Sequence, residues 1–179
     1  MEKKNYIVSI YTENNIGLLS RISGIFLKRH INIESITVSE SELSDIMRFI
    51  IVINVSEEKM KKIIGQIEKQ IEVIKAYFHT DEELILQESA LYKIRTSTFS
   101  EDMNIQDFIK ENHARLVTET PEFLVIEKTG KRKETENLYE KLKPFGLMQF
   151  VRSGTIAVSK NEMQISRMLE KFNTTNSNS

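Results

Sequence analysis

The stretch Thr12 to Ser35, TENNIGLLSRISGIFLKRHINIES, concentrates the residues that could meet a ligand. Asn14, Asn15 and Gly17 fall between a run of strand formers, YIVSIYT (6–12), and an apolar stripe of helical spacing that begins at Leu18. The first N–H groups of a helix have no partner inside it and carry the positive end of its dipole, so a carboxylate is well placed there. Gly17 lacks a Cβ and lets a ligand approach the backbone. Asn14 and Asn15 tolerate left-handed turn geometry and offer amides for hydrogen bonds. Asn32, just before Ile33, is supplied by the next loop. The set suits a small zwitterion whose carboxylate meets helix N–H groups. It suits equally well a helix capped by Asn14 or Asn15, and the residues alone leave both readings open.

Other chemistry finds little support. His30, His79 and His113 fall in different elements with no metal-ligand spacing, and the chain has no cysteine, so no metal centre or thiolate nucleophile is expected. No phosphate-binding glycine motif and no nucleophile elbow occurs. Glu57, Glu58, Asp81, Glu82 and Glu83 come in solvated runs rather than as an isolated pair, so no catalytic residue is assigned. An acyl-phosphate hydrolase would need an arginine in the loop ENNIG, and Arg21 lies a turn further on. An RNA-binding sheet would stack bases on aromatic residues, and the run 46–55 carries Phe49 alone. A net charge of −1 gives no bulk attraction to nucleic acid or to an anionic membrane surface. The opening MEKKNYIVSIY is not a signal peptide, and no apolar run reaches the ~18 residues of a membrane span. A cytoplasmic protein is expected.

The elements that must position these residues follow from periodicity. Leu18, Leu19, Ile22, Ile25 and Phe26 form one helical stripe, with Gly24 inside it at a propensity cost of roughly 1 kcal/mol, best explained by close packing on the sheet or on a partner. Residues 33–39 read as a strand in which Ile33 and Ile36 lie three apart, so a bulge is expected near Glu34. Residues 46–55 form a clear strand with Met47, Phe49, Ile51, Ile53 and Val55 on one face. Ser56 opens a second helix, striped by Met60, Ile63, Ile64, Ile67 and Ile71, and VIKAYFH (73–79) closes the unit.

After the acidic join TDEELILQES the plan repeats more faintly. A strand is expected at 90–99, a short helix at 103–112 with Met103, Phe108 and Ile109, and strands at 115–119 and 123–128. A helix carrying Leu138, Tyr139 and Leu142 follows, stopped by Pro144 to Gly146. A last strand region is broken by Gly154, and a final helix uses Ile165, Met168, Leu169 and Phe172. The fold class is α+β, with two ferredoxin-like βαββαβ domains. The expected boundaries are a first domain at 1–80, a linker at 81–89, a second domain at 90–172 and a disordered polar tail at 173–179.

The segments Glu13-Asn14, Gly17-Leu18-Leu19-Ser20-Arg21 and Asn32-Ile33-Glu34-Ser35-Ile36-Thr37-Val38 resemble the opening of an ACT regulatory domain, and more specifically the small regulatory subunits of acetolactate synthase. FVRSGTIAVSK (150–160) and ETPEFLVIEKTG (119–130) are similar to the second domain of that family. The family has Gly-Tyr before Asn-Ile where this chain has His30-Ile31. If that glycine needs a positive φ, His30 carries strain.

The resemblance implies that the N-terminal domain is an ACT domain and that the chain is a non-catalytic subunit in branched-chain amino acid synthesis. The partner it implies is the large catalytic subunit, which holds thiamine diphosphate, Mg²⁺ and FAD and condenses pyruvate with a second 2-oxo acid. None of these cofactors is expected on this chain. The small subunit raises that activity and confers feedback inhibition by a branched-chain amino acid, usually valine. Asn14, Gly17, Leu18 and Leu19 would hold the effector's carboxylate from one protomer, and Asn32 and Ile33 of a second would close the site, in a homodimer joined through ACT domains. The other reading is a stand-alone ACT-domain sensor acting on another enzyme or on transcription.

Overall fold

A computed structural model describes residues 2–98, 105–161 and 165. Strand β1 (Lys4–Glu13) leads into helix α1 (Leu18–Leu27), strands β2 (Ile33–Glu40) and β3 (Ile46–Val55), helix α2 (Glu57–Ile67) and strand β4 (Val73–His79). The four strands form one antiparallel sheet in the order β2-β3-β1-β4. Tyr6, Val8 and Ile10 of β1 and Phe49, Ile51, Ile53 and Val55 of β3 face the helices. They meet Leu18, Ile22 and Phe26 of α1 and Met60, Ile63 and Ile67 of α2 in one buried cluster. These are the period-2 and period-3.6 positions expected from the sequence. The pairing of β2 with β3 shifts between Ile33 and Ser35, which is the bulge expected near Glu34.

Three details differ from expectation. Helix α2 ends at Ile67, so Ile71 is not in its stripe but lies exposed in the turn before β4. Leu19 is half exposed. A Cβ at Gly24 would find nothing within 4 Å, so packing on the chain's own sheet does not explain that glycine.

The same plan follows again as β5 (Leu84–Arg95), α3 (Ile105–Glu111), β6 (Arg115–Glu119), β7 (Phe123–Gly130), α4 (Arg132–Leu142) and β8 (Leu147–Arg152), in the strand order β6-β7-β5-β8. A short strand β9 (Ile156–Ser159) pairs with β5. Tyr92, Ile94, Leu124, Ile126, Leu138 and Leu142 form the second core. Gly154 lies in the break between β8 and β9, as expected. Met103, Met168, Leu169, Phe172 and the tail 173–179 lie outside the described residues.

Residues 81–89 are not a linker. Thr80 donates its N–H to Glu83 Oε2 at 2.8 Å, closing a 3₁₀ turn at Asp81–Glu83, and β5 begins directly at Leu84. The chain divides into a unit of Met1–Ile85 with Ala157–Ser179 and a unit of Leu86–Ile156, so the C-terminal segment groups with the first domain rather than the second. Ile165 packs with Tyr11 and Ile46, and Arg48 Nη2 donates to the Ala157 carbonyl at 2.6 Å. Tyr11, Ile46 and Arg48 alternate with strand residues that face the helices, so Ala157 and Ile165 lie against the opposite face of the first sheet.

Candidate functional site

The loop from β1 to α1 is built by one tight turn. Leu18 N–H donates to the Asn15 carbonyl at 3.3 Å, placing Ile16 and Gly17 at the turn's centre. Gly17 has φ 82° and ψ −1°, the values a type II turn requires at its third residue, which favour glycine there. Gly17 is also the N-cap of α1, and no side chain caps that helix among the described residues. Capping by Asn14 or Asn15, the alternative left open by the sequence, therefore does not occur. Asn15 Nδ2 instead donates to Glu13 Oε2 at 3.2 Å, and Asn14 N–H donates to the Asp45 carbonyl at 3.0 Å. A Cβ at Gly17 would meet nothing within 4 Å, so the uncapped N-terminus opens onto free space. Leu18 is buried beneath it as a core residue, while Leu19 borders the opening.

Arg21 does not reach toward this opening. Its Nη2 pairs with Glu72 Oε1 at 2.6 Å, and Glu13 N–H donates to the Glu72 carbonyl at 3.0 Å. The helix start, the end of β1 and the turn before β4 are thereby tied together. Nothing in the sequence pointed to this partner of Arg21, 51 positions away in the chain.

Asn32 and Ile33 lie at the other end of α1. Glu13 pairs with Ile46 and Ile33 with Ile53, so the two groups are separated by seven residues of β3, about 23 Å at 3.3 Å per residue. One chain cannot bring Gly17 and Asn32 to one amino acid. Ile33 is partly buried against the core, whereas Asn32 lines an open depression of about 590 Å³ with His30, Asn54, Ser56, Lys59 and Lys62. Lys62 is held by Glu58 at 2.6 Å, one turn earlier on α2.

His30 has φ 53°, so the strain expected of a non-glycine at this position is present. His30 N–H donates to the Leu27 carbonyl at 3.0 Å and Ile31 N–H to the Phe26 carbonyl at 3.1 Å, the paired bonds of a Schellman closure.

The second unit holds a buried polar cluster that sequence reasoning missed. Glu88 is only 3% exposed. Thr135 Oγ1 donates to Glu88 Oε1, and Tyr92 Oη donates to the Thr135 carbonyl at 2.7 Å. Arg152 Nε lies 2.9 Å from Glu88 Oε1, but its N–H is not aimed at that oxygen, so the contact is ionic. Arg152 Nη2 donates to Glu136, and that hydrogen bond holds the Glu136 carboxyl below its ordinary range. Burial pushes the Tyr92 phenol up, so it stays protonated and donating. The missed signal was parity, since Glu88 shares a face of β5 with Ala90, Tyr92 and Ile94. The cluster joins β5, α4 and β8. Among the described residues, no group of three or more His, Asp or Glu could hold a metal ion, and no helix is long and apolar enough to cross a membrane.

The family described as AHAS small subunit-like ACT domain matches residues 8–75, and the family described as small subunit of acetolactate synthase matches 87–161. The chain is 35% identical over 159 residues to the acetolactate synthase small subunit of Bacillus subtilis, covering 88% of this chain and 92% of that one. It is 31% identical to the probable acetolactate synthase small subunit of Methanothermobacter thermautotrophicus, covering 89% and 95%. The crystal structure of the acetolactate synthase small subunit from Thermotoga maritima superposes with a TM-score of 0.80 at 25% identity, covering 89% of this chain and 99% of that one.

Proposed function

The chain belongs to the acetolactate synthase small-subunit family, the regulatory rather than the catalytic subunit of that enzyme, and from this we propose that it activates its large subunit and transmits feedback inhibition by a branched-chain amino acid. Family membership implies a large catalytic partner. The observation that carries the effector reading is the uncapped start of α1 at Gly17, open to solvent, with Asn32 about 23 Å away along the sheet. A carboxylate satisfies the N–H groups that no side chain caps. Two protomers related by a two-fold axis bring Asn14, Gly17, Leu18 and Leu19 of one to Asn32 and Ile33 of the other, and the contact creates two equivalent sites.

An amino acid bound across that contact favours the arrangement that supplies both halves. It alters the large subunit only through its different affinity for the two arrangements, and a coupling of roughly 1–3 kcal/mol suffices. Thiamine diphosphate, Mg²⁺ and FAD remain with the large subunit. Valine is the effector most in keeping with the family, and the pathway is that of valine, leucine and isoleucine. The match over both units, 8–75 and 87–161, favours this reading over a stand-alone sensor. The test is calorimetry with valine on the full chain beside Gly17→Asp. Wild-type binding that vanishes in the variant supports the site, and unchanged binding removes it.

A further inference from the structure

Helix α1 carries two rows of residues at four-residue spacing, on opposite flanks. Arg21, Ile25 and Arg29 form one row. Arg21 pairs with Glu72 in the turn before β4, and Arg29 Nε donates to Gln66 Oε1 at 2.8 Å, so this row faces α2 and the turn that follows it. Leu19, Ser23 and Leu27 form the other row. It is displaced by two positions, hence by about 200° around the helix, and looks toward the free edge at β2. Leu19 is 52% and Leu27 75% exposed. A single exposed leucine needs no explanation, but here two stand on one row, one turn either side of a serine.

We propose that α1 packs antiparallel on α1 of a second copy about a two-fold axis at Ser23, with Leu19 of each copy against Leu27 of the other. This rests on the reading that two protomers share the effector site, and it names the faces and the register by which they do so. A two-fold contact pairs a surface with itself. The row does this at one register: Leu19 and Leu27 each lie four positions from Ser23, whose small side chain sits at the crossing. Gly24, beside it, has open space where a Cβ would stand and lets the two helices come close.

The effector site calls for the same register by a separate route. Asn14 and Asn32 each lie nine positions from Ser23, so the axis carries the loop of Asn14 and Gly17 to the other copy's Asn32. Ile16 in that loop is fully exposed in the single chain and comes to the depression lined by His30 and Asn32. Charge agrees. Glu13 and Asp45 are exposed at the Gly17 end, and Lys3 and Lys59 line the depression at the Asn32 end beside the Lys62–Glu58 pair. The antiparallel contact turns those carboxylates toward these lysines, which outnumber Glu34, the remaining carboxylate of the depression.

The chain has no cysteine, so Ser23→Cys gives one thiol per copy. At the axis two such thiols face each other within the ~4.4–6.8 Å between Cα atoms that a disulfide spans. Mild oxidation of the full chain by dissolved oxygen with copper should therefore link Ser23→Cys into a covalent dimer. Lys28→Cys, exposed and seven positions after Arg21 on the other side of α1, should stay unlinked. Leu27→Asp should self-associate at least roughly ten-fold more weakly by sedimentation velocity, as an anchor residue should, and its valine affinity should fall in step. No link through Ser23→Cys, or Leu27→Asp dimerising like the wild type, would overturn the proposal. So would a linked dimer that no longer binds valine where the wild type does. A wild-type chain that binds no valine, with Ser23→Cys linking as expected, would overturn the effector reading and leave the contact standing.

Discussion

His30 and His113 occupy the same place in the two repeats. Each follows the first helix of its unit, with φ 53° at His30 and 48° at His113. Each is the left-handed residue of a Schellman closure: His113 N–H donates to the Lys110 carbonyl at 3.1 Å and Ala114 N–H to the Ile109 carbonyl at 3.0 Å, as His30 and Ile31 do to Leu27 and Phe26. Glycine is the usual residue there.

An L-residue in this conformation costs about 1–2 kcal/mol, and glycine gives back part of that in chain entropy. His30→Gly and His113→Gly should each stabilise the protein by about 0.5–1 kcal/mol, and the double variant should show the sum because the positions lie in separate units. Urea unfolding checks this. A lower midpoint for either variant would mean that the imidazole contributes more than the strain it carries.

Gly17 can be probed by separating backbone strain from occupied space. Gly17→Ala imposes the same strain, about 1–2 kcal/mol, yet its Cβ meets nothing within 4 Å. Gly17→Asp adds a carboxylate where the effector's carboxylate should lie. Valine binding measured by calorimetry should survive in the first and vanish in the second. Asn32→Ala should weaken it by about 1–3 kcal/mol if the amide meets a charged group of the effector.

The buried pair in the second unit should be costly to break on one side. Arg152→Ala leaves Glu88 charged and enclosed, a loss of about 3–5 kcal/mol. Glu136→Ala removes only a half-exposed partner and should cost under about 1 kcal/mol. Thermal unfolding of the two variants should differ plainly, and equal losses would show that Glu88 is not held by Arg152.

Acid should weaken the second unit through two surface carboxylates. Hydrogen bonds from Arg152 to Glu136 and from Arg115 to Glu127 hold both below the ordinary value of 4.5. A group whose pKa is lowered by folding contributes stability above its unfolded value and loses it as pH falls through the folded one. Urea midpoints should therefore be level above about pH 4.5 and decline below it. Arg115→Gln should lessen that decline. Glu136 is half exposed and Glu127 is reached by solvent, so solvent screens both and the effect is small beside that of Arg152→Ala.

The order of elements was legible because each core stripe is regular. Phe49, Ile51, Ile53 and Val55 alternate, and Leu18, Ile22 and Phe26 repeat at helical spacing. The bulge at Glu34 was legible because Ile33 and Ile36 break parity. What stayed hidden depended on distant partners. Leu84 to Gln87 read as an acidic join because alternation in β5 is clear only from Glu88 to Ile94. Ala157 and Ile165 read as part of the second domain because their partners, Arg48, Tyr11 and Ile46, lie more than a hundred positions back. Ile71 read as a helical core residue because it fits the spacing after Ile67, although α2 stops there. At the candidate site the turn chemistry of Gly17 was visible, but that no side chain caps α1 was not.

A site that joins Gly17 to Asn32, as proposed, needs a second protomer, so the full chain should be a dimer at micromolar concentration by light scattering. A chain cut after Thr80 is a poor probe of this, because it bares the face of Tyr11 and Ile46 that Ile165 covers. A monomeric full chain that still binds valine would refute the shared site.

Acetolactate formation by the purified large subunit, measured alone, with this chain, and with this chain plus valine, tests the central claim most directly. The rate should rise when the chain is added and fall again with valine. With Gly17→Asp in place of the wild type it should rise and stay high. A rate unchanged by the wild-type chain would contradict the regulatory role. A valine response that persists with Gly17→Asp would contradict the effector site at the start of α1.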